Sequence, residues 1–156
     1  TVGVLQSGRA NNVIPDSAHL ELSVRALDPE VRSLLQQRIT EIAHAQAQSF
    51  GVKAEIDYRR GYAALVNSKD ETDFARQIGS ELVGAERVVP QAPPLTGSED
   101  FAFMLEKCPG SYLLIGNGDG DKLGACMVHN PGYDFNDANL AIGAAYWTLL
   151  ARRYLV

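Results

Sequence analysis

Between Ala18 and Arg59 the spacing of apolar residues changes twice, from every second residue to about every 3.6 and back again. No other feature restricts the fold as strongly. From Ala18 to Ala26, Leu20, Leu22 and Val24 alternate with His19, Glu21, Ser23 and Arg25, which predicts a half-buried strand with Arg25 turned away from the Leu/Val row. Val2 to Ser7 is the expected partner strand, joined to it by a polar loop, Gly8 to Asp16, in which Pro15 and Asp16 form turns. Asp28-Pro29-Glu30 then opens a helix: the Asp side chain can accept from orphan N–H groups, and Pro is preset for the first helical position. Val31, Leu34, Leu35, Ile39, Ile42 and Ala43 lie on one stripe of that helix, and Gly51 supplies its stop. Val52, Ala54, Ile56 and Tyr58 alternate with Lys53, Glu55, Asp57 and Arg59 as a third strand. Strand, strand, helix, strand predicts most of a small α/β sandwich, without an opening strand and helix.

A domain boundary is expected near Gly61 to Leu65, giving one domain over residues 1–61 and another over 62–156. Ser68-Lys69-Asp70-Glu71 is a capping box, in which Ser and Glu can satisfy each other's backbone N–H groups. The helix it opens runs through Phe74, Ile78 and Leu82 to a stop at Gly84. Beyond the Pro-rich stretch Pro90–Pro94, a short helix is expected from about Ser98 to Lys107, with Glu99 and Asp100 in the first turn, where the helix dipole favours them. Tyr112, Leu113, Leu114 and Ile115 read as a short buried strand. A last helix begins near Asn136, striped by Leu140, Gly143, Trp147, Leu150 and Tyr154.

Charge and cysteine usage narrow the partners. With 14 Lys and Arg against 19 Asp and Glu, the net charge is −5, and no basic stripe forms on which a phosphate backbone could release counterions. Nucleic acid is therefore not an expected partner. No apolar run approaches the roughly 18 residues a bilayer span requires, so no membrane partner is expected either. Cys108 and Cys126 form no CxxC, and reduced thiols in the cytoplasm are their expected state. The chain starts in strand-like residues without Met, and it is expected to be part of a longer one.

Four segments hold groups capable of chemistry. Gly116-Asn117-Gly118-Asp119-Gly120-Asp121 fails as a calcium loop, because Lys122 stands where Gly belongs and Val128 where Glu belongs. It fails as a dinucleotide fingerprint too, since Asp121 replaces the third Gly, and a solvated turn is the better reading. His129, in HNPGYDFND, can ligate a metal through a neutral imidazole, but one His makes no site, and spacing alone favours an ordinary loop histidine. Gly97, in TGSEDF, precedes a helix start whose N–H groups can bind a carboxylate, although Glu99 and Asp100 oppose that; a capped helix start is the plainer alternative. Arg25 can clamp a carboxylate with two parallel hydrogen bonds near Asn12, the alternative being a surface Arg and a turn Asn.

Taken in order, NNVIPD, GSEDFA and HNPGYDFND resemble the M20 family of metallo-amidohydrolases, and within it the hippurate hydrolase and N-acyl-amino-acid amidohydrolase branch. The likeness spans essentially the whole chain. It implies that residues 1–61 are the later part of a lid or dimerisation domain and 62–156 the C-terminal part of the metal-binding catalytic domain. It further implies amide hydrolysis of N-acyl amino acids or similar small molecules, with one or two divalent ions (Zn, Mn, Co or Ni) and a homodimer formed through the lid. By the same likeness His129 is a metal ligand, and Asn12, Arg25 and Gly97 bind substrate. No residue matches the family's other ligands or its catalytic glutamate, so this chain alone is expected to bind metal weakly or not at all and to lack hydrolytic activity. The alternative of another class is a non-catalytic small-ligand-binding or oligomerisation module.

Overall fold

The computed structural model describes residues 1–118 and 126–155. The chain forms two compact units, Thr1–Ala64 with Leu95–Glu99, and Leu65–Pro94 with the residues from Asp100 onward. Its class is mixed α/β, as expected from the switches of period.

In the first unit, β1 (Val2–Ser7) pairs antiparallel with β2 (Ala18–Leu22), with Leu5 opposite Leu20 and Ser7 opposite Ala18. The Ser7 hydroxyl donates to the Ser17 carbonyl at 2.9 Å and closes the connecting loop. The second strand is shorter than its alternation predicts. Leu22 lies opposite Val2, the first residue of β1, so Val24 to Ala26 have no place in the ladder. Arg25 is therefore not governed by the strand's two-faced geometry, and the Leu row is not core, since Leu20 is 51% exposed.

Helix α1 (Pro29–Ser49) starts as its sequence dictates: Asp28 Oδ1 accepts from the N–H groups of Glu30 at 2.8 Å and Val31 at 2.9 Å. Gly51 follows its end with φ 68°, a left-handed conformation that glycine adopts without penalty. The third strand is absent. Residues 52–59 do place side chains two apart on one side, pairing Lys53 with Glu55 and Arg59 with Asp57, each at 2.7 Å. No ladder joins them to another strand among the described residues, and a period of two cannot supply the neighbour that a strand needs. Instead Arg60 donates to Gln36 at 2.7 Å and Arg32 donates to the Gly61 carbonyl at 2.9 Å, tying residues 60 and 61 to α1.

The second unit holds α2 (Lys69–Val83), a single 3₁₀ turn (Ala85–Arg87), α3 (Phe101–Leu105) and α4 (Ala138–Tyr154). Among the described residues Ala75 and Ile78 of α2 and Ala102 of α3 are the buried side chains. Helix α4 packs on α2, and the Tyr146 hydroxyl donates to the Ala75 carbonyl at 3.2 Å. Burial pushes the Tyr146 phenol above its usual pKa. Arg153 pairs with Glu81, and hydrogen bonding to the guanidinium holds the Glu81 carboxyl below its ordinary pKa. The α4 stripe differs from its expected course: Gly143 and Leu150 are half-buried, whereas Leu140, Trp147 and Tyr154 are exposed.

Three further expectations are corrected here. Ser68 stands at the N-cap of α2 but makes no capping hydrogen bond; its hydroxyl accepts instead from the Gly110 N–H at 3.1 Å. Helix α3 is confined to five residues, so Glu99 and Asp100 precede it rather than fill its first turn. Residues 111–115 form no strand, and Leu114 is 70% exposed. Their place is fixed by Asn67, whose amide donates to the Tyr112 carbonyl at 2.9 Å and accepts from the Tyr112 N–H at 2.8 Å. Gly110 is needed beside α3, because a Cβ there would lie 3.2 Å from Leu105 Cδ2 and 3.3 Å from Phe101 Cζ. No helix among the described residues is long and apolar enough to cross a membrane.

Candidate functional site

The first unit brings together two segments far apart in sequence. Arg25 Nη1 donates to the Thr96 carbonyl at 2.5 Å and to Ser98 Oγ at 3.3 Å, across 71 and 73 positions. Gly97 lies between those two acceptors. Ordering an arginine side chain costs up to about 2 kcal/mol of rotamer freedom, and these bonds offset that cost before any ligand arrives. Both use the same nitrogen, so Nε and Nη2 have no protein partner among the described residues and stay available to an acceptor such as a carboxylate. A Cβ built on Gly97 meets nothing within 4 Å, so open space adjoins the backbone there. Asn12 lies in the exposed loop between β1 and β2, and no hydrogen bond joins it to Arg25 or Gly97 among the described residues.

His129 belongs to the second unit. It is the single non-glycine residue with positive φ among the described residues, at 71°. A side chain held in that region costs on the order of 1–3 kcal/mol and persists only where the surroundings impose it. Successive turns impose it here: the Asn130 N–H bonds to the Met127 carbonyl at 3.2 Å, and the Tyr133 N–H to the Asn130 carbonyl at 2.9 Å. Asn130 Oδ1 accepts from the Gly132 N–H at 2.8 Å, and the rings of Tyr133 and Phe135 meet edge to face at 5.1 Å. Asn117 grips the far end of this segment, its amide donating to the Asp134 carbonyl at 2.7 Å and accepting from the Asn136 N–H at 2.8 Å.

The exposed imidazole of His129 has donor chemistry that suits a divalent metal as one ligand. Among the described residues no group of three or more His, Cys, Asp or Glu gathers, whereas zinc takes three or four protein ligands. Residues 119–125, which hold the second half of the expected glycine-rich turn Gly116–Asp121, lie outside the described residues.

The contributions of Thr96, Ser98 and Asn117 were not legible in the sequence. The Arg25 contacts span more than 70 positions, and no local pattern encodes them. Asn117 sits in a Gly-Asn-Gly stretch whose only short-range signal is that of a turn.

Comparison with known proteins places these residues in context. Residues 3–153 match the Peptidase family M20/M25/M40. The chain is 35% identical over 155 residues to the hippurate hydrolase of Campylobacter jejuni, covering 99% of this chain and 39% of that protein. It is 33% identical to the N-acetyl-L-cysteine deacetylase of Bacillus subtilis, over 94% of this chain and 33% of that protein. The crystal structure of the Bacillus subtilis YXEP protein, described as a dinuclear metal binding peptidase from the M20 family, superposes with a TM-score of 0.76 at 26% identity. That match covers 97% of this chain and 40% of the other. The chain thus spans between a third and two-fifths of the length of these relatives.

Proposed function

The chain belongs to the Peptidase family M20/M25/M40, and from that membership we propose that the whole protein is a cytoplasmic, homodimeric hydrolase acting on N-acyl amino acids or similar small amides with one or two divalent ions. In this proposal residues 1–61 are the later part of the lid, with Asn12 and Arg25 meeting the substrate, and residues 62–156 belong to the catalytic domain, with Gly97 beside the substrate and His129 as a metal ligand. The relatives that support it are themselves a hippurate hydrolase and a deacetylase. When bound, the metal would polarise the scissile carbonyl or a water.

One observation carries the substrate assignment: a guanidinium held in place by Thr96 and Ser98, with its Nε–Nη2 edge left over and open space at Gly97 between its anchors. That corner offers charge and two parallel donors to a free carboxylate, the group that every N-acyl amino acid presents.

The direct test is hydrolysis of hippurate and other N-acyl amino acids by the purified whole protein. Chelation should abolish turnover, and Zn, Mn, Co or Ni should restore it. Turnover indifferent to chelation overturns the metal dependence; binding without turnover leaves the non-catalytic module. Gly97→Ala sharpens the substrate assignment. The backbone there lies outside the left-handed region and the new methyl meets no protein atom, so stability should stay level or rise by about 0.4–1 kcal/mol. A substrate that approaches this backbone closely would meet the methyl, and KM should rise about tenfold, some 1.4 kcal/mol. An unchanged KM removes Gly97 from the substrate contacts.

A further inference from the structure

We propose that Asn117 is a positioning residue for the segment that carries His129, an inference resting on the assignment of His129 as a metal ligand. From Cys126 to Asp137 no helix or strand holds the backbone, yet His129 is kept in a conformation that side chains rarely adopt. Beyond its own turns, the segment is anchored by one planar amide. Its two ends reach the Asp134 carbonyl at 2.7 Å and the Asn136 N–H at 2.8 Å, which are the two backbone groups that a neighbouring strand would engage.

Asn67 does the same at Tyr112, so the unit uses a side-chain amide in place of a missing strand partner at two points. At Asn117 the tie is doubled from the other side. Asn136 Nδ2 donates to the Asn117 carbonyl at 3.4 Å, and Asn139 Nδ2, from the first turn of α4, donates to the Gly116 carbonyl at 2.9 Å. The constraint runs on from Asp134 through the Tyr133–Asn130 and Asn130–Met127 bonds to the turn that contains His129. Only a group that donates and accepts at once can do this: aspartate keeps the acceptor and loses the donor, and alanine loses both.

The experiment uses the whole protein in its metal-free form and titrates zinc alone, with Asn117→Ala, Asn117→Asp and His129→Ala beside wild type. In Asn117→Ala, amide hydrogen exchange over residues 126–136 should quicken at least about tenfold while α2 exchanges as before. The zinc dissociation constant should rise about tenfold, the usual scale for an outer partner of a metal ligand. Asn117→Asp should fall between alanine and wild type on both measures, since it can still accept from the Asn136 N–H.

Wild-type exchange over 126–136 in Asn117→Ala overturns the proposal. So does faster exchange with wild-type zinc affinity, if His129→Ala loses zinc, because the amide then holds the loop without positioning the ligand. Should His129→Ala keep its zinc, the ligand assignment falls and this inference falls with it. The two failures are thus read from different variants.

Discussion

Ile78→Ala is expected to lower the unfolding free energy of the second unit by about 2–5 kcal/mol, the range for emptying a buried aliphatic position. Ile78 is 1% exposed and is the one large side chain fully buried among the described residues. Its flanks are occupied: Ala75, one turn earlier, is also buried and accepts the Tyr146 hydroxyl bond, so α4 cannot simply slide into the space. Urea unfolding followed by Trp147 fluorescence reads this unit. The midpoint should fall with the slope unchanged, as it does when stability alone is altered. Trp147 is itself 65% exposed, so the complementary variant Trp147→Ala, followed by circular dichroism, should move stability by less than about 1 kcal/mol despite the larger side chain removed. A loss below about 0.5 kcal/mol for Ile78→Ala would mean that the α2–α4 packing does not support the unit.

That contrast between Ile78 and Trp147 marks what the sequence makes legible. Local instructions are carried by local chemistry, so the Asp28 cap, the Pro29 start, the Gly51 stop and the β1–β2 pairing are all readable in advance. A hydrophobic period says which face of an element is apolar and nothing about what covers it. Leu20 and Trp147 therefore look like core in a stripe and stand exposed in the fold. The same gap explains the missing strands. Residues 52–59 and 111–115 have strand-like composition, but a ladder is a property of two segments, and here side chains such as Asn67 satisfy the backbone in place of a neighbour. Ser68 shows the converse: its capping-box sequence is intact, yet Gly110 takes the hydroxyl, so a nonlocal partner outcompetes a local one. The candidate site divides in the same way. His129 and Arg25 stand out by residue type and by their motifs, whereas the groups that hold them, Thr96, Ser98 and Asn117, act through contacts no window of sequence contains.

Arg25→Ala in the whole protein should reduce kcat/KM for an N-acyl amino acid by at least tenfold, and by about 10²–10³ if the guanidinium acts chiefly on charge developing in the transition state. The stability cost should be small. Arg25 is exposed, its two hydrogen bonds are made to Thr96 and Ser98 at a solvated surface, and among the described residues no ion pair joins it to an acidic side chain. Such bonds contribute about 1 kcal/mol or less there. Kinetic loss well above the stability loss is therefore the signature of a substrate contact, and equal small losses are that of a structural tie. Arg25→Lys refines the test, because a lysine keeps the charge but cannot hold Thr96 and still offer a planar pair of donors; it should restore less than a tenth of wild-type kcat/KM. Mixed dimers then ask where the contact is made. If Arg25 serves the partner's site, a heterodimer of an Arg25→Ala subunit with a His129→Ala subunit retains one site with both groups intact and should recover up to half of wild-type activity. If the contact lies within one subunit, each site of that heterodimer lacks one group and the mixture stays inactive. A kinetically silent Arg25→Ala would remove Arg25 from the site and leave its bonds to Thr96 and Ser98 as a link between distant parts of the first unit.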